Sequence, residues 1–82
     1  MYTIYKENVG VFAMKEKYLV LINRGYDKED IFYMGDSIII AYKRLKELPY
    51  ANKEILFANV KMVTMFNKYE LIESYDVIKK IS

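Results

Sequence analysis

Apolar residues recur at the spacing of one helix face in the segment that starts at Ser37. They follow at intervals of four, three and three residues, at Ile38, Tyr42, Leu45 and Leu48. Charged side chains fill the opposite side, Ser37 can cap the first turn, and Pro49 cannot continue a helix. The pattern therefore predicts a helix over residues 37–48. The alternative is a hairpin in which residues 31–34 pair with residues 37–42 across a Gly-Asp turn.

Residues 9–24 carry a helical and an extended pattern at once. On a helix, five apolar side chains would share one face: Val11, Met14, Tyr18, Leu21 and Ile22. As strands, residues 9–14 and 18–22 would form a hairpin. Gly25 follows where a glycine often closes a helix, so we expect a helix from about Val11. The run 18–22 is apolar on every side and should be buried in either case.

Acidic residues favour a second helix start shortly after Gly25. Asp27 can cap the first turn, and Glu29 and Asp30 would lie at the positive end of the helix dipole. We expect this helix to be short, because Gly35 interrupts the pattern.

The two ends of the chain and the segment 54–66 complete the prediction. Alternation over residues 1–5 favours a strand, followed by a turn at residues 6–8. The segment 54–66 fits both periods, and we prefer a strand over residues 61–66 because β-branched and aromatic residues suit a pleated sheet. The last stretch predicts a helix, since apolar residues there lie near helical spacing at Ile72, Tyr75, Ile78 and Ile81.

Together these elements predict an α+β fold in one small compact domain over residues 1–82. Two or three helices would lie beside a small antiparallel sheet that uses the N-terminal strand and residues near 61–73. An all-α fold is the alternative. Area scaling for this length leaves about a third of the extended-chain surface exposed after folding, which allows a single core.

The composition excludes several kinds of chemistry. The sequence has no cysteine and no histidine, which removes disulfides, thiolate metal sites and the usual catalytic base. Two groups of carboxylates occur, at Glu70, Glu73 and Asp76 and at Asp27, Glu29 and Asp30. A solvated helix face explains the first group and helix capping the second. We therefore expect a protein that is not an enzyme and that has no cofactor and no bound metal.

The segment 25–48 resembles a helix-turn-helix DNA-binding motif. It reads GYDKEDIFYMGDSIIIAYKRLKEL, with a capped short helix, a turn, and a basic helix in which Ala41 lies four residues after Ser37. It departs from the motif at Phe32, a bulky residue where a small one normally lets the helices approach. The resemblance implies a DNA-binding transcriptional regulator with a degenerate helix-turn-helix at about residues 27–48.

Three basic residues on the second predicted helix are the candidate binding residues. Lys43, Arg44 and Lys46 would form a broad positive side opposite Leu45. This side could contact a nucleic acid or an acidic partner, although a net charge of +2 does not by itself indicate nucleic-acid binding.

Tyrosine is the unusual feature of the composition, with nine tyrosines and four phenylalanines. A small domain cannot bury so many rings fully, so some should lie half-exposed, where aromatic residues suit an interface. We therefore expect a small non-catalytic interaction protein that binds another macromolecule. A protein partner is the first expectation and DNA the alternative. A homodimer would also cover an exposed aromatic patch.

Composition and hydropathy also bear on source and location. Lys, Ile, Asn, Tyr and Phe make up 39 of the 82 residues, which is typical of a low-GC genome and suggests a phage or mobile-element accessory or inhibitor protein. No apolar run approaches the roughly 18 residues of a membrane span, and no secretory signal is visible. We expect a cytoplasmic protein without a membrane partner.

Overall fold

Five strands and one helix make up the described part of the chain. The computed structural model describes residues 4–7, 10–65 and 70–82, with side chains described for 13–65 and 70–82. The elements in chain order are β1 (Ile4–Glu7), β2 (Gly10–Ile22), β3 (Asp30–Gly35), α1 (Ile38–Glu47), β4 (Lys53–Thr64) and β5 (Glu70–Lys80). The α+β class is confirmed. The prediction of two or three helices and the all-α alternative are wrong, since these residues form one helix.

All strands of the sheet are antiparallel, and β2 lies at its centre. One edge of β2 pairs along nearly its whole length with β4, from Val11 opposite Thr64 to Ile22 opposite Lys53. The other edge is shared, because β1 pairs with its first four residues and β3 with its last five. β5 pairs with the far side of β4. The sheet therefore runs from β1 and β3 on one side, through β2 and β4, to β5 on the other.

The apolar run in β2 is buried because alternate residues enter two different clusters. Val20 packs with Ala41 of α1 and Ile55 of β4, which we call the helix cluster. Leu19 and Leu21 point to the other face. There they join the inner cluster, whose buried members are Leu19, Leu21, Leu56, Ala58, Val60 and Met62. Burial on both faces of a strand gives a continuous apolar run, which sequence periodicity does not distinguish from a buried helix.

The predictions for residues 9–24 are therefore wrong in both forms. Residues 10–22 form one 13-residue strand instead of a helix or a hairpin, and Asn23 and Arg24 lie in the turn that follows. Val9 lies outside the described residues. Lys15, Glu16 and Lys17, expected at the hairpin turn, pair in register with Val60, Asn59 and Ala58 of β4. The long ladder with β4 outweighs the local turn signal of these charged residues.

The inner cluster is closed by curvature of the sheet. Helix α1 packs on the opposite face of the sheet and therefore does not cover this cluster. Leu19 and Leu56 of the inner cluster nevertheless have no exposed surface. β3 and β5 lie on opposite sides of the sheet, and both contribute partly buried residues to this cluster. The Tyr75 hydroxyl of β5 donates to Glu29 Oε2, just before β3, at 2.9 Å. The two sides thus approach each other over the inner face, as expected of a strongly twisted sheet.

Helix α1 forms where the sequence predicts it, within residues 37–48. Ser37 Oγ accepts a hydrogen bond from the Ile40 amide at 3.2 Å, and Leu48 leaves the helix in an extended conformation before Pro49. The alternative hairpin with residues 31–34 is wrong. The buried stripe consists of Ala41 with Leu45 and Leu48. Ile38 and Tyr42, predicted on that stripe, are exposed.

The predicted helix after Gly25 does not form. Asn23 and Gly25 both have positive φ, at 53° and 84°, and the chain turns there before entering β3. Glu29 accepts a hydrogen bond from the Gly25 amide at 2.9 Å, which stabilises the turn. Because pairing with β2 takes the place of the first helix, the helix-turn-helix predicted at residues 27–48 is wrong as a structure.

The two chain ends differ from prediction in different ways. The C-terminal helix is wrong, because these residues form β5 along β4. The N-terminal strand is confirmed for Ile4 and Tyr5, which begin β1, but Lys6 and Glu7, expected in a turn, also belong to it. Residues 1–3 and 8 lie outside the described residues. The strand expected over 61–66 is confirmed as far as Thr64, and it begins earlier than predicted, at Lys53. Phe66 lies outside the described residues.

Candidate functional site

Three lysines surround an apolar groove beside the second half of α1. The groove has a volume of about 500 Å³ and is lined by Tyr42, Lys43, Leu45, Lys46 and Lys53. In the described part of the chain, no acidic side chain lines it. Its walls are aromatic and aliphatic, and its charges are all positive, so it suits a ligand that combines apolar and acidic groups.

Lys53 reaches the groove from the start of β4 and also stabilises the end of the helix. Its Nζ donates to the Leu48 carbonyl at 2.9 Å. Carbonyls in the last turn of a helix have no intrahelical partner, and a cation there also offsets the negative end of the helix dipole. Lys53 was missed as a site residue, although a lysine soon after Pro49 was a usable signal for a cation near a helix C-terminus.

The predicted trio Lys43, Arg44 and Lys46 does not stay together. Lys43 and Lys46 line the groove, whereas Arg44 is not among its lining residues. Arg44 Nη1 lies 3.6 Å from Glu47 Oε1, in an ion pair one turn along the exposed helix. Two of the three candidate residues therefore share a site, and Lys53 takes the third position.

The exposed side of α1 continues this groove towards the start of the helix. Successive helical residues are about 100° apart, which places one set of side chains within an arc of about 140°. We call this set the binding face, and its members are Ile38, Ile39, Tyr42, Lys43 and Lys46. Ile39 is 77% exposed, the most exposed large apolar residue of the described chain. Ile40 and Arg44 lie on the other flank of the helix.

A second charged contact joins the turn after β2 to the start of β4. Arg24 Nη2 lies 3.0 Å from Glu54 Oε1, an oxygen that is buried and accepts no well-aligned hydrogen bond. The nearby carboxylate holds the pKa of Arg24 above its usual value. Burial and the hydrogen bond to Glu29 raise the pKa of Tyr75 to about 12. Tyr75 therefore stays protonated at neutral pH and acts here as a donor that joins β5 to the turn before β3.

The two groups of acidic residues noted in the sequence do not lie on or cap a helix, because the described helix spans Ile38–Glu47. Glu70, Glu73 and Asp76 lie on β5, so the expected helix face does not exist. Glu73 Oε2 lies 3.5 Å from Lys61 Nζ of β4. In the described ranges, no three acidic side chains converge in a way that could hold a metal ion.

Comparisons with protein families, with curated proteins and with solved structures find no significant match for this chain. Within the residues that the structure describes, no helix is both long and apolar enough to cross a membrane. The functional argument therefore rests on the surface of α1 and the groove beside it.

Proposed function

We propose that this chain is a non-catalytic binding protein that docks onto another protein through the binding face of α1. One observation carries the proposal. The helix places Ala41, Leu45 and Leu48 against the sheet, while Ile39 stands 77% exposed beside two lysines. Isolated exposed apolar residues are common, but here apolar, aromatic and basic side chains form one continuous surface.

The chemistry of the face defines the partner. Ile38, Ile39 and Tyr42 can bury apolar surface in a contact, and Lys43 and Lys46 at its border can pair with carboxylates. The partner would present an apolar patch with acidic residues beside it. A small chain of this kind can act as an accessory or inhibitor protein, as in a phage or mobile element, simply by covering a functional surface of its target.

Protein fits this face better than DNA does. In a helix-turn-helix complex with DNA, Ile38 and Ile39 would face the groove, where polar side chains normally read the bases. The face also offers only two lysines, with Lys53 nearby and Arg44 paired on the other flank. A DNA-binding regulator that uses this helix is the second candidate, supported by the all-positive groove.

Pull-down from a lysate followed by mass spectrometry tests the proposal with matched variants. Ile39→Asp and the double change Lys43→Ala with Lys46→Ala alter the face. Ile40→Asp and Arg44→Ala make comparable changes on the other flank. We expect one protein to be retained by the wild type and by both control variants, and to be lost with Ile39→Asp. Equal retention by all variants contradicts the proposal.

The salt dependence of binding to random duplex DNA distinguishes the DNA-binding regulator from the protein-binding function. Each lost phosphate contact should reduce the log–log salt slope by roughly 0.9, so loss of Lys43 and Lys46 would remove about 2 units. We expect negligible DNA binding before and after this change. A wild-type slope steeper than about −3 that collapses in the double variant would favour the DNA-binding regulator.

A further inference from the structure

β5 is a long strand with one open edge. Nine of its 11 residues pair with β4 on one side, and no other strand in the described ranges pairs with its second side. Leu71 and Ile78 are 45% and 53% exposed, and Val77 is exposed with them. An edge of this length presents backbone donors and acceptors that another strand can pair with.

The charges of β5 are separated along the strand. Its acidic residues Glu70, Glu73 and Asp76 come first, and its basic residues Lys79 and Lys80 come last. Charged side chains normally protect an edge strand, because like charges meet when two such edges approach. Here that protection holds only for parallel pairing. In an antiparallel pair of identical strands, the acidic half of one faces the basic end of the other.

We propose that β5 pairs with β5 of a second copy of this chain, antiparallel about an axis near Tyr75. The two sheets then form one continuous sheet across a symmetric interface. Leu71, Val77 and Ile78 lose exposure in it, and the ends of the strands pair through opposite charges. A two-fold interface places the same surface on both subunits, which a self-complementary strand satisfies.

Two β-bulges in β5 limit the stretch that pairs regularly with β4 to the residues between them. Glu73 and Ile78 are skipped in the register with β4, while residues 74–77 between them pair without interruption. The regular stretch surrounds the proposed axis, and the bulges lie on either side of it. The pairing therefore needs only the central residues and the charged ends, and both are exposed or half-buried.

Complementary charge variants test this pairing directly. The first variant combines Glu70→Lys with Glu73→Lys, and the second combines Lys79→Glu with Lys80→Glu. Each alone brings like charges together at both ends of the dimer, which should weaken dimerisation roughly 10-fold or more. Mixed in equal amounts, the two variants present opposite charges to each other, so we expect a heterodimer to form.

Sedimentation velocity and light scattering give the readout across micromolar concentrations. We expect the wild type to approach twice its 9.8 kDa mass and each variant to remain near it. Circular dichroism should show the wild-type fold in every sample, including the variant that loses the contact between Glu73 and Lys61. Glu47→Lys on α1 serves as the control and should dimerise like the wild type.

Three outcomes would overturn the proposal: a monomeric wild type, single variants that dimerise as tightly as the wild type, or a mixture that does not associate. None of the four changed residues belongs to the binding face of α1. Failure of this dimer therefore leaves the proposed docking function untouched, and loss of the docking partner leaves the dimer untouched.

Discussion

β4 and β5 are neighbouring strands of similar length, yet β4 supplies buried core residues whereas β5 supplies partly buried ones at the border of the core. β4 has a strand on each side and contributes to the clusters on both faces, so most of its apolar residues are fully buried. Among the strands that the structure describes, β5 has β4 on one side only, and most of its side chains are exposed. The contrast shows that position in the sheet, and not strand formation itself, decides how much each residue contributes to stability.

The same comparison explains why β5 resembles a helix in the sequence. Ile72 and Tyr75 are three residues apart, yet both pack against the inner cluster. The bulge at Glu73 adds one residue between them, so a spacing of three returns to the same face of the strand. The extra residues at the bulges belong to β5 and not to β4. Buried and half-buried side chains therefore alternate regularly along β4 between Leu56 and Met62.

Truncation of one leucine in each strand should give the largest difference. Leu56→Ala removes a side chain with no exposed surface from the inner cluster, and we expect it to lower the free energy of unfolding by about 3–5 kcal/mol. Leu71→Ala, at an exposed site on β5, should change it by no more than about 0.5 kcal/mol for the monomer. Urea denaturation at low protein concentration measures both. Similar losses would show that β5 is as much a part of the core as β4.

Leu45→Ala extends the comparison to the helix that covers β4. Leu45 is half-buried against Val20 and Ile55, so its truncation should cost about 2 kcal/mol, less than Leu56→Ala. Thermal unfolding followed by circular dichroism gives the value. A loss as small as that of Leu71→Ala would mean that α1 contributes little to burial of β4.

Tyr75→Phe tests the hydrogen bond from Tyr75 to Glu29, which joins β5 to the turn before β3. Removing a donor to the partly solvated Glu29 carboxylate should cost about 1 kcal/mol at neutral pH. The fold raises the pKa of Tyr75 from 10.0 to about 12, mainly through burial, so it favours the protonated phenol. This stabilisation is complete below the unfolded pKa and is lost as the pH rises through the folded one.

The difference in stability between wild type and Tyr75→Phe should therefore shrink as the pH rises from 10.0 towards about 12. Denaturation of both proteins across this range, at constant ionic strength, gives the difference directly. Because the lysines titrate in both chains, their effect largely cancels in the comparison. A difference that stays constant with pH would show that the fold does not raise the pKa of this phenol, either through burial or through the contact with Glu29.

Local signals explain which elements the sequence predicts well. Helix α1 is predictable because its cap at Ser37, the apolar spacing of Leu45 and Leu48 and its stop at Pro49 are all encoded nearby. β2 is not, because its apolar residues are divided between two faces that only the assembled sheet creates. In the turn before β3, Asp27 and Glu29 fit a helix start equally well, and long-range pairing of β3 with β2 decides the outcome.

The candidate site, like the fold, was predictable only in part. Lys43 and Lys46 followed from helical spacing, which also places Arg44 off to one side once the buried stripe is known. The stripe itself was misjudged, since Ala41 lies against the sheet and Ile38 and Tyr42 do not. A small alanine gives a weak hydrophobic signal even where it marks the closest approach of a helix to a sheet.

The central position of β2 also has a consequence for how the chain folds. β2 is joined to β4 by pairs at least 31 residues apart in sequence, whereas the pairing of β4 with β5 joins strands that follow each other directly. Closing so large a loop costs entropy before its contacts can repay it, so the β2–β4 ladder should form late and limit the folding rate. Until it closes, the apolar residues of β4 are exposed to other chains, and aggregation competes with folding.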